Sequence, residues 1–231
     1  MKMLKIVVSL LIIYFLICIK YYFRYNFPEI VQIPNGLKKR DIKYYFDDNA
    51  RNIVVSKYPS TITDDNITFI DTKKLILITN DIDNKKIKMP GDVFLQLYHD
   101  NSQQEEFHNY YYSGSYPISS NIKYFLDYQY FIKSFLLILP EKTHLELCQH
   151  LSSTFIWMNK GSANLIIFPY SEENKKVLKG AKFWKNQNKL QGSSYLEIKL
   201  SKDTLVKIPP LCWYSLEIIS PSLIFKSYHS M

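Results

Sequence analysis

Apolar and polar residues alternate along this chain in three regimes. From Ile6 to Ile19 no charged residue appears. As helix that run spans only about 21 Å, against a hydrocarbon core of about 30 Å. Adding Met3 to Lys5 and Lys20 to Phe23 brings the span to roughly 31 Å, with both lysines snorkelling and Tyr21 and Tyr22 at the interface. Bulky residues follow (ICIKYYFRYNF), with no small-x-small cleavage pattern. The pattern therefore predicts an uncleaved single-span anchor over residues 1–24, with its orientation open. The sequon at Asn66 would matter only if the domain faces a lumen.

The middle regime, residues 25–134, is a lead-in of helices and short strands. TFIDTKKLILIT (Thr68 to Thr79) is rich in β-branched residues and reads as strand material. Pro90 opens a short helix ending near Asn101. Phe125, Tyr128, Phe131 and Phe135 recur at three- and four-residue spacing, which predicts an amphipathic helix over Asn121 to Phe135 with its aromatic stripe in the core.

The last regime, residues 135–231, changes to short apolar segments. FLLILP, LELCQH, STFIWMN and ANLIIFP follow one another. The polar, helix-like SEENKKVLKG interrupts them before SSYLEIKL, DTLVKIPP, LCWYSLEII and SLIFKSY. Roughly eight strands at near-regular spacing predict a β-sandwich or small barrel. The fold class expected is mainly β: a jelly roll with N-terminal helices, behind one transmembrane helix.

Composition narrows this picture modestly. An apolar fraction of 47% and a charged fraction of 22% are those of a folded protein. Abundant Tyr (19) and Phe (14), with Ala only at positions 50, 163 and 181, is what AT-rich codons encode. That usage suggests a giant-virus or AT-rich protist genome. The net charge of +8 is scattered, with one tight run at Lys38, Lys39 and Arg40 just past the apolar segment. A solvated surface plus a membrane-proximal basic patch accounts for it, and no nucleic-acid partner is expected. Three cysteines make no disulfide framework.

Candidate chemistry centres on LELCQHLSSTFIW. Cys148 and His150 stand two apart, so on a strand they share a face, and Cys212 and Tyr214 share another. The structural expectation is core: free Cys packs as a small hydrophobe and the Tyr214 hydroxyl hydrogen-bonds His150. The alternative is a soft N/S metal site for zinc or copper using Cys148, His150 and Cys212. A Cys148–Cys212 disulfide is a third option, requiring Cα atoms closer than about 7 Å. His144, an even number of residues before Cys148, could share its face at the strand's start but reads rather as a surface residue beside Glu141 and Lys142, and His99, His108 and His229 receive no role. Nucleophilic catalysis has no support, since Ser152 and Ser153 lack a glycine elbow.

LELCQHLSSTFIWMNKGSANLIIFPYSEENKKVL resembles the metal-binding segment of the cupin-like JmjC hydroxylases, which include the factor-inhibiting-HIF-like asparaginyl hydroxylases. Their pattern runs T-x-x-H-x-D, then K-G-x-K/R, then F-P-P. Lys160–Gly161 and Phe168–Pro169–Tyr170 match it without a gap, the last with one change. Ile208, Pro209, Pro210 and Trp213 match the family's I-P-P-x-W-W-H signature. More loosely, Lys88 to Pro117 resembles the segment upstream of the barrel.

The resemblance implies a double-stranded β-helix holding Fe(II) and 2-oxoglutarate at its mouth, through two His and a carboxylate on one face of the iron. Carried over position by position, however, the ligands fall on Cys148, His150 and Tyr214, and the oxoacid-binding Thr and Lys fall on Leu145 and Ala163. The resemblance thus implies a degenerate member without cofactor. The alternative is an oxygenase or other metal enzyme with non-standard ligands. The expected partners are a membrane and another protein, and a homo-oligomer is compatible with such a fold.

Overall fold

The computed structural model describes residues 7–17, 28–59, 74–83, 85–99, 110–115, 124–125, 132–179 and 192–229. The expected strands and the observed ones differ in an instructive way. STFIWMN and ANLIIFP form one 15-residue strand, β8 (Thr154–Phe168). LCWYSLEII and SLIFKSY likewise form one 17-residue strand, β11 (Trp213–His229). These two pair antiparallel along nearly their whole length, from Trp213 opposite Phe168 to Tyr228 opposite Thr154.

The pair is bent at its middle. The register slips between Ile218 and Ser220, again before Leu223, and again before Ile224. Such bulges bend a strand and increase its twist. Opposite them Gly161 takes φ +86°, and a Cβ built there would stand 2.3 Å from the Pro221 carbonyl oxygen and 2.8 Å from the Ser222 Cα. Only glycine fits a left-handed backbone pressed against another backbone. Hydroxyls dress the bend: Ser162 and Ser220 lie 2.9 Å apart, and the Ser222 hydroxyl donates to the carbonyl of Ser220 at 2.6 Å.

The remaining strands extend the two halves into two leaves. β6 (Ile132–Leu139), β10 (Thr204–Ile208) and β2 (Ile53–Lys57) widen the leaf built on the first half of β8 and the last half of β11. β1 (Ile30–Gln32) adds to β2 in parallel, while β5 (Tyr110–Ser115), β3 (Leu75–Asn80) and β4 (Lys86–Pro90) continue from β6. β7 (Cys148–Gln149) and β9 (Leu196–Ser201) flank the other halves. The result is one mixed, eleven-stranded sheet folded on itself, in which strands from residues 30–115 join those of residues 132–229.

Packing confirms the fold-over. Ile156, Met158 and Ile224 from one leaf share a single buried cluster with Leu165, Ile167, Tyr214 and Leu216 from the other. Alternation puts Phe155, Trp157, Leu223 and Phe225 on the outer face of the first leaf. There they meet Ile42 and Phe46 of helix α2 (Lys39–Asp48) and Phe94 of α3 (Gly91–His99). Lys207, on β10, is buried and donates to the carbonyls of Phe46 and Asn49. A cation at the negative end of the helix dipole is the favourable sign, and α2 has no basic residue of its own in its last turn. The expected helix at SEENKKVLKG is present as α4 (Glu172–Leu178), capped by the Ser171 hydroxyl accepting from the Asn174 amide at 3.0 Å.

Two expectations need correction. The helix over Asn121 to Phe135 cannot run to its end, because Ile132–Leu139 is strand β6, paired with β11. Burial along β6 alternates before becoming continuous, and the sheet outweighs the helical spacing of the aromatics. Residues 126–131 lie outside the described residues. His144 is not a surface residue. It is buried, its amide donates to Asp81 at 2.8 Å, and it bridges to Glu217 of β11.

Residues 7–17 form helix α1, every described residue of it exposed. Among the described residues no helix is long and apolar enough to cross a membrane. The flanking parts of the expected anchor, and residues 68–73 of the expected Thr68–Thr79 strand, lie outside the described residues.

The bend makes a prediction. Gly161→Ala should destabilise the protein by on the order of 3 kcal/mol, from backbone strain plus a clash that no side chain can relieve. Gly36 shares the left-handed backbone (φ +81°) but has nothing within 4 Å of its would-be Cβ. Gly36→Ala should therefore cost only about 1 kcal/mol. Denaturant midpoints of the two variants would measure the difference. Equal losses would mean that the bend is not tightly packed.

Candidate functional site

At the end of the folded sheet away from the bend, the two leaves present their terminal residues to each other. Cys148 of β7 is registered against Tyr214 of β11, so the two share a face. His150 follows β7 directly, and its Nε2 lies 3.0 Å from the Tyr214 hydroxyl. From the other leaf come Lys226 and Tyr228, on the inner face with Ile224, and Thr154 at the start of β8. The Tyr228 ring stacks on His150 with centroids 3.7 Å apart and planes 17° from parallel. Lys226 Nζ lies 3.8 Å from Cys148 Sγ, 5.1 Å from the Tyr214 ring centroid and 5.6 Å from that of Tyr228. Phe135 stacks behind Tyr228 at 5.9 Å.

Proton positions follow from the electrostatics. Burial pushes the Tyr214 phenol well above its ordinary range, with the neighbouring Cys148 raising it further, so it stays protonated. Burial and then the Lys226 charge push His150 down to about 4, so its ring is neutral at pH 7. The Tyr214 hydroxyl is thus assigned as donor to His150 Nε2, while Thr154 donates to the phenol oxygen. Burial lowers Lys226, an effect that Cys148 partly offsets. Tyr111, on β5, is raised to about 12, mainly by burial and then by Glu146, Cys148 and Asp81.

The residues singled out from sequence divide clearly. Cys148, His150 and Tyr214 come together, including the expected Tyr214–His150 hydrogen bond. Leu145 and Ala163 line the same inter-leaf core, Ala163 fully buried in β8 and Leu145 half-buried. Cys212 also lies in that core, where its sulfur accepts from the Tyr170 amide and burial pushes its thiol up to about 12. Both thiols are free, so the Cys148–Cys212 disulfide is not formed. Lys226, Tyr228, Thr154 and Tyr111 were missed. The signal for Lys226 was legible: in SLIFKSY it takes the inward phase of an apolar strand, two residues after Ile224.

This donor set does not fit Fe(II) with 2-oxoglutarate. The position that the resemblance gives to the aspartate falls on His150, whose Nε2 is engaged by a phenol and whose face is covered by Tyr228. An ammonium group beside Cys148 further disfavours a dication there. Among the described residues, no group of three or more His, Cys, Asp or Glu side chains is placed to hold a metal ion. What the cluster does hold is a chain of donors and acceptors, a half-buried cation and a half-buried thiol. No protein-family model matches the chain, and no curated protein matches it.

The His150 shift sets a pH dependence. Unfolded, the ring takes up a proton near its ordinary 6.5; folded, only near 4. Between those values the unfolded chain holds more protons, so stability rises with pH and is lost on acidification. For a half-buried ring screened by solvent the loss is on the order of 1 kcal/mol. Denaturation at pH 4, 5, 6 and 7 should show this slope in the native sequence and a flatter one in His150→Gln. Parallel profiles would show that His150 titrates normally in the folded protein.

Proposed function

We propose that the chain is a non-catalytic, cupin-like binding module tethered to a membrane by its apolar N-terminus, with another protein as partner. The observation that carries this reading is the mutual engagement of the side chains at the mouth. Tyr214 uses His150, Tyr228 covers it, and Lys226 stands against Cys148. Groups that would bind iron in a hydroxylase-like ancestor are instead engaged by one another and, from the other leaf, by Lys226 and Tyr228. The likeness of the 160–170 and 208–213 segments to the JmjC hydroxylases supports a double-stranded β-helix behind this arrangement.

Membrane tethering draws support from α1. Leu10, Leu11, Tyr14 and Phe15 are each at least 60% exposed, an apolar surface that the described fold leaves uncovered. Its burial in lipid is favourable by about 25 cal/mol per Å². The scattered lysines beyond it suit an anionic surface better than a groove for nucleic acid.

Two measurements on the full chain test the reading. Titration with Fe(II) and 2-oxoglutarate should give no saturable binding in the micromolar range, and micromolar affinity would contradict it. In a flotation assay with phosphatidylcholine–phosphatidylserine vesicles the chain should rise with the lipid. The double substitution Leu11→Lys and Ile12→Lys should leave it at the bottom of the gradient. Equal flotation of both would place the lipid contact elsewhere.

A further inference from the structure

We propose that Cys148 and Lys226 form an oxidisable pair that closes into a covalent sulfur–oxygen–nitrogen bridge between the two leaves in the presence of hydrogen peroxide. The geometry is specific. The thiol sits on the short strand β7, beside the first half of β11, and the amine on the last half of β11, which belongs to the other leaf. Their S and N atoms are 3.8 Å apart, about van der Waals contact. One inserted oxygen therefore joins them with a small approach and no rearrangement of strands. The aromatic rings of Tyr214 and Tyr228 flank the Lys226 amine and hold it against the sulfur.

Reactivity points the same way. Cys148 is half-buried, so a molecule as small as peroxide reaches it. Cys212 is buried among apolar side chains with its sulfur engaged by the Tyr170 amide, whereas the Lys226 amine stands in contact with Cys148 as a trap for its oxidised form. Burial lowers the Lys226 pKa, raising the fraction of neutral amine that carries a reactive lone pair.

The chemistry balances with two peroxides. The first takes two electrons from sulfur: Cys148–SH and H₂O₂ give Cys148–SOH and water. The second takes two electrons from nitrogen. Cys148–SOH, Lys226–NH₂ and H₂O₂ give Cys148–S–O–NH–Lys226 and two waters. Four reducing equivalents from a dithiol return the thiol, the amine and one water. The bridge removes the Lys226 charge and fixes the mouth, and it depends on this geometry alone, not on the absence of catalysis proposed above.

The test is peptide mapping by mass spectrometry of the full chain after treatment with hydrogen peroxide. The expected product is one linked pair of peptides, containing Cys148 and Lys226, heavier than the two peptides by one oxygen less two hydrogens. Dithiothreitol should reverse it. Cys148→Ser and Lys226→Met should each abolish it. Lys226→Arg keeps the cation, and so the packing, and should abolish it as well. Cys148 recovered as sulfinic or sulfonic acid with Lys226 unmodified would overturn the proposal. So would a Cys148–Cys212 disulfide, or a linked species that persists in Lys226→Arg.

Discussion

The bend shared by β8 and β11 is the constraint on which the rest of this molecule depends. Two long paired strands would ordinarily make a twisted ribbon with two wet faces. Two register slips in β11, a third in β8 and one left-handed glycine in β8 fold the ribbon over instead. Both ends then converge, and the inward residues of each half become one core. The other strands extend the sheet outward from the two edges of this bent pair. Without it Cys148 and Lys226 would lie on distant parts of the sheet, and Tyr228 could not reach His150.

Burial has a second consequence at the converged ends. A lysine, an imidazole, two phenols and a thiol brought into a half-buried space must satisfy one another or pay the desolvation penalty. Here they do so by specialising. The phenol of Tyr214 is held protonated and donates, the imidazole of His150 is held neutral and accepts, and Lys226 rests on π faces and a polarisable sulfur. The arrangement tolerates one cation because aromatic faces and a thiol stabilise it. A second positive charge, on a metal ion or on protonated His150, would meet that ammonium at short range.

Much of this was legible in the sequence, and the misses have physical causes. The late β block, the short helices at Pro90 and SEENKKVLKG, and the pairing of Cys148 with His150 follow from local periodicity and turn chemistry, whereas Tyr214 joined them only if both pairs faced inward and through the resemblance. The division into roughly eight strands was too fine. Lys160–Gly161 and Ser220–Pro221 look like turns, but they lie opposite each other in bent, continuous strands. Spacing alone misled at Phe135, where a helical period coincides with a strand that β11 recruits. His144 gave no local sign of burial, because Asp81 and Glu217, which hold it, are far away in sequence. Lys226 was visible as a charge in the inward phase of a strand, but its partner Cys148 could be named only once the leaves were folded together.

The residues at the converged ends are committed to one another, with His150 a neutral acceptor. Side-chain ¹⁵N NMR of His150 in the full chain tests this most directly. The expected result is a neutral ring with Nδ1 protonated at pH 7, a titration midpoint near 4, and a spectrum unchanged by stoichiometric Zn(II) or Fe(II). A midpoint near 6.5, or a metal-induced shift of the Nε2 resonance, would contradict it.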